Sequence, residues 1–159
     1  MVEHAKQPAQ ALGITLNPIP VERLQDAVAQ YQRVLATLKS DTDALWLSQD
    51  SAVLDEQAVL PMILQQAWDR RLIVFSGNPS HVKRGILFAM YPDNERMGHS
   101  LGAMALRSRV RESGENPAPQ GMALLTDLST ALNIRTAGHL GIRYSKEALG
   151  EFDLIFPAM

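Results

Sequence analysis

The sequence predicts an α/β fold, a three-layer, doubly wound and mostly parallel sheet with helices on both faces. Three segments, Asp43 to Gln49, Leu72 to Asn78 and Gly85 to Met90, begin as short apolar runs and end in small or polar residues. This pattern is typical of buried parallel strands that deliver polar loops to one edge of a sheet. Helix-forming segments separate the strands, which favours right-handed crossovers within one sheet.

The first third of the chain predicts a helix, a strand and a second helix. Ala5 to Leu12 is helix-prone apart from Pro8, and Gly13 ends it. Ile14 to Pro20 has the composition of a strand, and its two prolines suit a sheet edge. From Glu22 onward, apolar residues recur at three- and four-residue steps, which predicts an amphipathic helix. These residues are Leu24, Ala27, Val28, Tyr31, Val34, Leu35 and Leu38.

The middle of the chain predicts strands that alternate with helices. Lys39 to Thr42 ends the second helix and Ala44 to Leu47 forms a strand. A helix should then run to about Arg70, but Pro61 lies inside it, so the helix either starts afresh near Leu60 or kinks. Three further elements follow, which are a strand at Leu72 to Phe75, a helical turn at Pro79 to Lys83 and a strand at Ile86 to Met90.

The last third begins with a long helix from Asp93 to near Gly114, in which Gly98 and Gly102 would let a neighbour approach closely. Residues 115–121 form the clearest loop, and Met122 to Leu125 reads as a strand. Three short elements close the chain, which are a helix at Thr136 to Leu140 ended by Gly141, a helix capped by Ser145 through Leu149, and a strand at Asp153 to Phe156. We predict one domain over residues 1–159.

Composition excludes several classes of protein. The 159 residues are 46% apolar and 20% charged with a net charge of -2, so the chain can fill one core and shows no basic stripe for nucleic acid. No apolar run approaches the roughly 18 residues of a membrane-spanning helix, and the start has no apolar export segment. Cysteine is absent, which excludes disulfides and thiolate metal sites. We expect a soluble protein without membrane insertion.

No catalytic, metal or cofactor signature is present. The histidines His4, His81, His99 and His139 lack neighbours at metal-ligand spacing, so we expect them to be solvated or to cap helices. The glycine that precedes a nucleophilic serine is missing before Ser76, and no phosphate-binding glycine loop opens a helix. Trp46 and Trp68 are expected in the core. We therefore predict a non-enzymatic protein without a cofactor or a metal.

Six polar residues follow the predicted strands, at the edge where ligands bind in open α/β sheets. They are Gln49, Asp50, Ser76, Asn78, Tyr91 and Asp93. The aspartates allow three interpretations: helix caps, paired carboxylates with Glu95, or acceptors for a ligand ammonium group. Tyr91 fits the core and the site equally well, because Pro92 holds it outside the helix that follows.

The order of these motifs resembles the TrpX-like group of ABC transporter substrate-binding proteins. Asn133, Ala137 and Leu140 to Ile142 match an Asn-x-x-x-Ala-x-x-Leu-Gly-Ile signature of that family, and Val82 with Gly85 matches a short turn. The resemblance runs over essentially the whole chain. It implies one lobe of a type I periplasmic-binding-protein fold that binds an amino acid or similar small molecule. It also implies an ABC permease as partner and a periplasmic location. The alternative location is the cytoplasm.

The resemblance covers the second lobe alone, without the strand that should precede the first helix. Three outcomes are open: the Ile14 and Ala44 strands pair directly, a partner chain donates a strand, or the polypeptide is a piece of a longer product. Met122 to Asn133 could instead pair with another copy, so we predict a homo-oligomer, most simply a dimer. The alternative function is a sensory or protein-interaction module that has lost ligand binding.

Overall fold

A computed structural model describes residues 2–48, 50, 53–111 and 125–157. Within them lie seven helices and five strands in an alternating order. The helices are α1 (Val2–Ala11), α2 (Leu24–Thr37), α3 (Val59–Asp69), α4 (Pro79–Arg84), α5 (Asn94–Arg111), α6 (Ile134–His139) and α7 (Lys146–Leu149). The strands are β1 (Ala44–Leu47), β2 (Ile73–Ser76), β3 (Phe88–Pro92), β4 (Leu128–Asn133) and β5 (Leu154–Phe156).

The five strands form one sheet in the order β1-β2-β3-β4-β5. All neighbours are parallel except β3 and β4, which are antiparallel with Pro92 opposite Leu128. The carboxyl ends of β1, β2 and β3 therefore share one edge with the starts of β4 and β5. We call this the upper edge, and the predicted α/β class with a mostly parallel sheet is confirmed.

Both faces of the sheet are covered, as predicted. Val74 packs with Leu35, Leu60 and Ile63 of α2 and α3 on one face. Its neighbour Ile73 points to the opposite face, because successive side chains of a strand alternate. There it joins a cluster formed mainly by the carboxyl-terminal segment, with Phe88, Leu132, Ala137, Leu140, Ile142, Tyr144, Leu149 and Phe152.

Proline and glycine act locally as the sequence indicates. Helix α3 starts afresh at Val59, so Pro61 lies in the first turn, where an amide hydrogen has no partner within the helix. Gly141 has φ +77° after α6, a conformation that side chains other than glycine rarely adopt. Ser145 caps α7 by accepting a hydrogen bond from the Ala148 amide at 3.2 Å.

Several predictions about the first half are wrong. Ile14 to Pro20 forms no strand, because two prolines remove amide donors and no neighbouring strand pairs with it; Ile14 is 56% exposed. In the described residues β1 pairs with β2 alone, so direct pairing of the Ile14 and Ala44 segments does not occur. Trp46 and Trp68 are not core residues, with 46% and 37% of their surfaces exposed.

The second half differs from the prediction at three places. Residues 128–133 form β4, a strand that the sequence pattern does not predict. The predicted loop at residues 115–121 and the predicted strand at Met122 to Leu125 lie almost wholly outside the described residues. Because β4 pairs on both sides within its own sheet, it does not offer residues 128–133 to another copy. Gly98 and Gly102 are not approached by any neighbour within 4 Å among the described atoms. Dimerisation stays a prediction that needs a different contact.

Candidate functional site

An open groove of about 570 Å³ lies at the upper edge, between the end of β3 and the loop after β2. Ligand pockets commonly occupy about 300–1,000 Å³, so the groove can receive a small molecule. The residues that line it come from three segments of the chain. They are Gly77, Pro79, Tyr91, Pro92, Asp93, Asn94 and Ser129.

Asp93 closes one end of the groove as the cap of α5, so the capping interpretation is confirmed. Its Oδ1 accepts a hydrogen bond from the Arg96 amide at 2.9 Å, and its Oδ2 accepts one from Arg96 Nε at 2.7 Å. Ser129 Oγ donates to the same Oδ2 at 3.2 Å. The backbone hydrogen bond from Arg96, followed by the guanidinium bond, lowers the pKa of the Asp93 carboxyl.

Tyr91 forms the aromatic wall of the groove and is half-buried. Its ring packs against Val82, Ala89 and Ala131, which hold the backbone of β3 in place. Partial burial and then the nearby charges of Asp153 and Asp93 raise the pKa of the Tyr91 phenol, so it stays protonated at neutral pH. Within the described residues its hydroxyl makes no hydrogen bond. Tyr91 thus offers the groove a ring and a phenol.

Ser76 and Asn78 do not line the groove, and both contact a buried histidine next to the loop that carries Gly77. Ser76 is 2% exposed, and its Oγ contacts His81 Nδ1 at 2.8 Å and accepts from the Asn78 amide at 3.1 Å. Asn78 Oδ1 caps α4 at the Ser80 amide. On the other side of the ring, His81 Nε2 lies 3.2 Å from Glu56 Oε1. This Ser76–His81–Glu56 clamp fixes the loop that carries Gly77.

The clamp corrects the expectation that His81 is solvated, because His81 is 2% exposed. One tautomer satisfies both the Ser76 and the Glu56 contacts, with Ser76 donating to Nδ1 and Nε2–H donating to Glu56. Some hydrolases also use a serine, a histidine and a glutamate that are linked in this order by hydrogen bonds. Here the serine hydroxyl is buried beneath its own loop, so it serves the structure rather than a substrate.

The remaining predicted site residues lie elsewhere. Gln49 lies outside the described residues, and Asp50 is not among those that line the groove. The Asp50 carboxylate lies near Tyr31, and burial of the phenol, followed by the charge of Asp50, raises the pKa of Tyr31. Asp55 stabilises the turn that precedes α3, since its Oδ1 accepts from the Gln57 and Ala58 amides at 2.9 and 2.6 Å; α3 itself begins after Ala58 without a side-chain cap.

The turn after α4 is anchored at the start of α6, and this contact joins the two motifs that carry the family resemblance. Asn133 Nδ2 donates to the Val82 carbonyl at 2.8 Å, while its Oδ1 caps α6 at the Thr136 amide at 2.9 Å. Thr136 Oγ1 donates to the Gly85 carbonyl at 2.9 Å. Gly85 has φ +129°, and a Cβ there would meet Leu64 at 3.3 Å. The two motifs, 51 residues apart, are partners in one structural joint.

Sequence reasoning missed Arg96, Ser129, His81 and Glu56. Arg96 has a local signal, because an aspartate three residues earlier on a helix can pair with it. Ser129 and Glu56 have no local signal, since only the fold brings them to their partners. In the described part of the chain, no group of three or more histidine, aspartate or glutamate side chains is arranged to hold a metal ion.

We predict that the upper edge loses stability in acid. The Thr130 backbone amide, which donates to Asp153 Oδ2 at 2.7 Å, lowers the pKa of Asp153, and the pKa of Asp93 is lowered as well. Carboxyls with a lowered pKa stabilise the folded state fully above the unfolded pKa of about 3.9. That stability is lost as pH falls through the folded-state pKa.

Urea unfolding at neutral pH and at about pH 3 should therefore show a smaller acid-induced loss in Asp153→Asn than in the natural protein. Asp41→Asn removes the same charge from an exposed turn and is the control. An unchanged acid loss in Asp153→Asn would contradict the assignment.

Comparison with known proteins finds a matching protein family and several structures with a similar fold. The family model for the ABC transporter substrate binding protein matches residues 1–153. An ABC domain in complex with L-Trp from Streptococcus pneumonia has a TM-score of 0.65 and 19% identity, over 98% of this chain and 49% of that chain. A conserved domain protein from Vibrio cholerae O1 biovar eltor has a TM-score of 0.62 and 18% identity, over 96% and 48%.

A third structure is the ligand-free, open form of a substrate binding protein with adhesive properties from Clostridium difficile. It has a TM-score of 0.62 and 16% identity, over 96% of this chain and 48% of that one. The chain thus spans about half the length of the structures it matches. No curated protein matches the sequence.

The structural similarities show a shared fold, and the family model, which covers nearly the whole sequence, shows the family. The resemblance drawn from Asn133 to Ile142 and from Val82 to Gly85 is confirmed. This chain belongs to the ABC transporter substrate-binding protein family.

Proposed function

We propose that this chain forms one wall of the solute site of an ABC-type importer and binds an amino acid or similar small molecule without catalysis. The groove at the upper edge carries the proposal, because Tyr91 and Asp93 meet there beside the Gly77 loop. Membership of the family supports a solute-binding role. The L-Trp complex of a structural neighbour supports an amino acid as the ligand.

Each predicted residue has a proposed role. Tyr91 packs its ring on the solute, and Asp93 accepts a hydrogen bond from it. Ser76 and Asn78 act indirectly, since their hydrogen bonds hold the Gly77 loop. Gln49 and Asp50 follow β1, whose carboxyl end lies next to that of β2, and we propose that they extend the wall in that direction.

A single wall should bind its solute weakly. A ligand that faces water on one side buries too little surface to offset its lost freedom. We propose that a second wall completes the cleft, that an ABC permease receives the solute, and that the protein works outside the cytoplasm. In the ranges that the structure describes, no helix is both long and apolar enough to span a bilayer.

A second candidate function is a protein-interaction module, and one surface favours it. Trp46 and Met90 are 46% and 47% exposed on the same side of the sheet, and the Trp46 ring stacks on Phe75 at 6.0 Å. An exposed apolar patch often marks a protein contact. This patch lies on the face that Tyr91 does not share, because neighbouring residues in β3 point to opposite faces.

We predict that Tyr91→Ala weakens amino acid binding about tenfold, or about 1.4 kcal/mol, because the solute loses its aromatic contact. Calorimetry with a panel of amino acids measures the effect, and thermal unfolding confirms that the variant is folded. Met90→Ala is the matched control, since it truncates the next residue on the opposite face. No heat of binding for any amino acid at millimolar concentration, or equal affinity of Tyr91→Ala and the natural protein, would contradict the proposed function.

A further inference from the structure

Arg96 lies in the first turn of α5, and its guanidinium is committed to the protein. Nε donates to Asp93 Oδ2 at 2.7 Å, and Nη2 donates to the Leu128 carbonyl at 2.7 Å and to Ser129 Oγ at 3.2 Å. These bonds tie the start of α5 to the start of β4, 32 residues later. Two of the three guanidinium nitrogens are therefore occupied by groups of the chain itself.

The groove has no cationic side chain among the described residues that line it. Asp93 is its one ionised group, and Tyr91, Asn94 and Ser129 supply the other polar side chains. Asp153 lies close enough to act on the charge of both Arg96 and Tyr91. A solute carboxylate would thus enter a groove whose described lining residues supply one carboxylate and no cationic side chain.

A solute ammonium group finds acceptors in the same place. A carboxylate can accept about four hydrogen bonds, and Asp93 receives three from Arg96 and Ser129. The Tyr91 phenol oxygen is a second acceptor in the groove. Ser129 Oγ is already used in both directions, because it accepts from Arg96 and donates to Asp93.

We propose that Arg96 is a positioning residue that fixes Asp93 as the acceptor for a ligand ammonium group, so that this wall selects solutes by their amine and not by their carboxylate. The inference rests on the proposed function and names the end of the solute that this wall holds. Charge-assisted hydrogen bonds are the strong ones, so the amine should dominate the affinity.

Matched probes on the full chain test the selectivity. Phenylalanine carries both groups, phenethylamine carries the amine alone and 3-phenylpropionate carries the carboxylate alone; leucine, isoamylamine and 4-methylpentanoate repeat the test on an aliphatic scaffold. In calorimetry the amines should bind within about tenfold of the amino acids, and the acids at least about tenfold more weakly than the amines. Acids that bind as tightly as the amines would overturn the inference and leave the proposed function standing. Silence from all probes and all amino acids would overturn both.

Three variants separate positioning from simple charge. Arg96→Gln removes a positive charge, so charge balance alone predicts tighter amine binding, whereas the positioning role predicts amine binding weakened about fivefold to tenfold. Arg96→Lys should recover part of the loss, and Asp93→Asn should abolish the preference of amine over acid. Thermal unfolding of each variant reports folding. Tighter amine binding by Arg96→Gln would overturn the positioning role.

Discussion

Asn133→Leu is expected to destabilise the protein by about 2 kcal/mol, which lowers the unfolding temperature by about 4–8 °C for a chain of this size. Asn133 is 6% exposed and serves two partners at once. Its loss removes one of the two hydrogen bonds to the buried Val82 carbonyl, which keeps the bond from the Gly85 amide at 3.0 Å, and it removes the cap from the Thr136 amide. The cap contributes about 1 kcal/mol, and the hydrogen bond to the Val82 carbonyl contributes about 1 kcal/mol more.

Two variants locate the source of that loss. Ser145→Ala removes an exposed cap that has no donor role toward another segment, and it should cost about 1 kcal/mol or less. Asn133→Asp keeps an acceptor for the Thr136 amide, but it loses the donor to Val82 and sets a buried carboxylate against that carbonyl, so its stability should stay close to that of Asn133→Leu. Urea unfolding provides the measurement. A cost for Asn133→Leu no larger than that of Ser145→Ala would contradict the anchoring role.

His81→Leu should lower the free energy of unfolding by about 3 kcal/mol, because it breaks the Ser76–His81–Glu56 clamp. The imidazole links Ser76 on one side to Glu56 on the other. Glu56 is half exposed and can turn to water, whereas Ser76 is buried and would keep a hydroxyl hydrogen without an acceptor. Most of the loss should therefore arise at Ser76.

A double-mutant cycle tests this cause. Adding Ser76→Ala to His81→Leu removes the orphaned hydroxyl, so the double variant should be more stable than the sum of the single effects predicts, by about 1–2 kcal/mol. Strict additivity would show that the two side chains are not coupled. Met90→Ala is a distant control, since Met90 is half exposed on the opposite face of the sheet, and its stability should stay close to that of the natural protein.

The parts of the fold predicted from sequence are those in which local pattern and burial agree. The stripe of α2 and the apolar runs of β1 and β2 are confirmed because their periods match the faces that they bury. Strand β4 was missed because Leu128 to Asn133 is half polar, and its ladder comes from partners distant in sequence. The segment at Ile14 shows the converse, since apolar residues without a partner strand do not form a sheet.

The candidate site divides in the same way. Tyr91 and Asp93 could be predicted because they lie at the junction of a strand and a helix, Tyr91 near the end of β3 and Asp93 directly after it. The clamp could not, since Glu56 and His81 are 25 residues apart and only the fold brings the turn before α3 to α4. Arg96 and Ser129 likewise meet only when β4 lies beside β3. Local sequence thus predicts which residues reach the upper edge, and tertiary contacts decide which of them keep their polar groups free.

The central claim is that a small molecule binds in the groove at the upper edge. Amide NMR spectra recorded during a titration with phenylalanine test it most directly, because each backbone amide reports its own surroundings. We expect saturable shifts at Gly77, Tyr91, Asn94 and Ser129, with little change at Trp46 and Met90 on the opposite face. Shifts centred on Trp46 and Met90, or no saturable shift at the groove for any amino acid, would contradict the account.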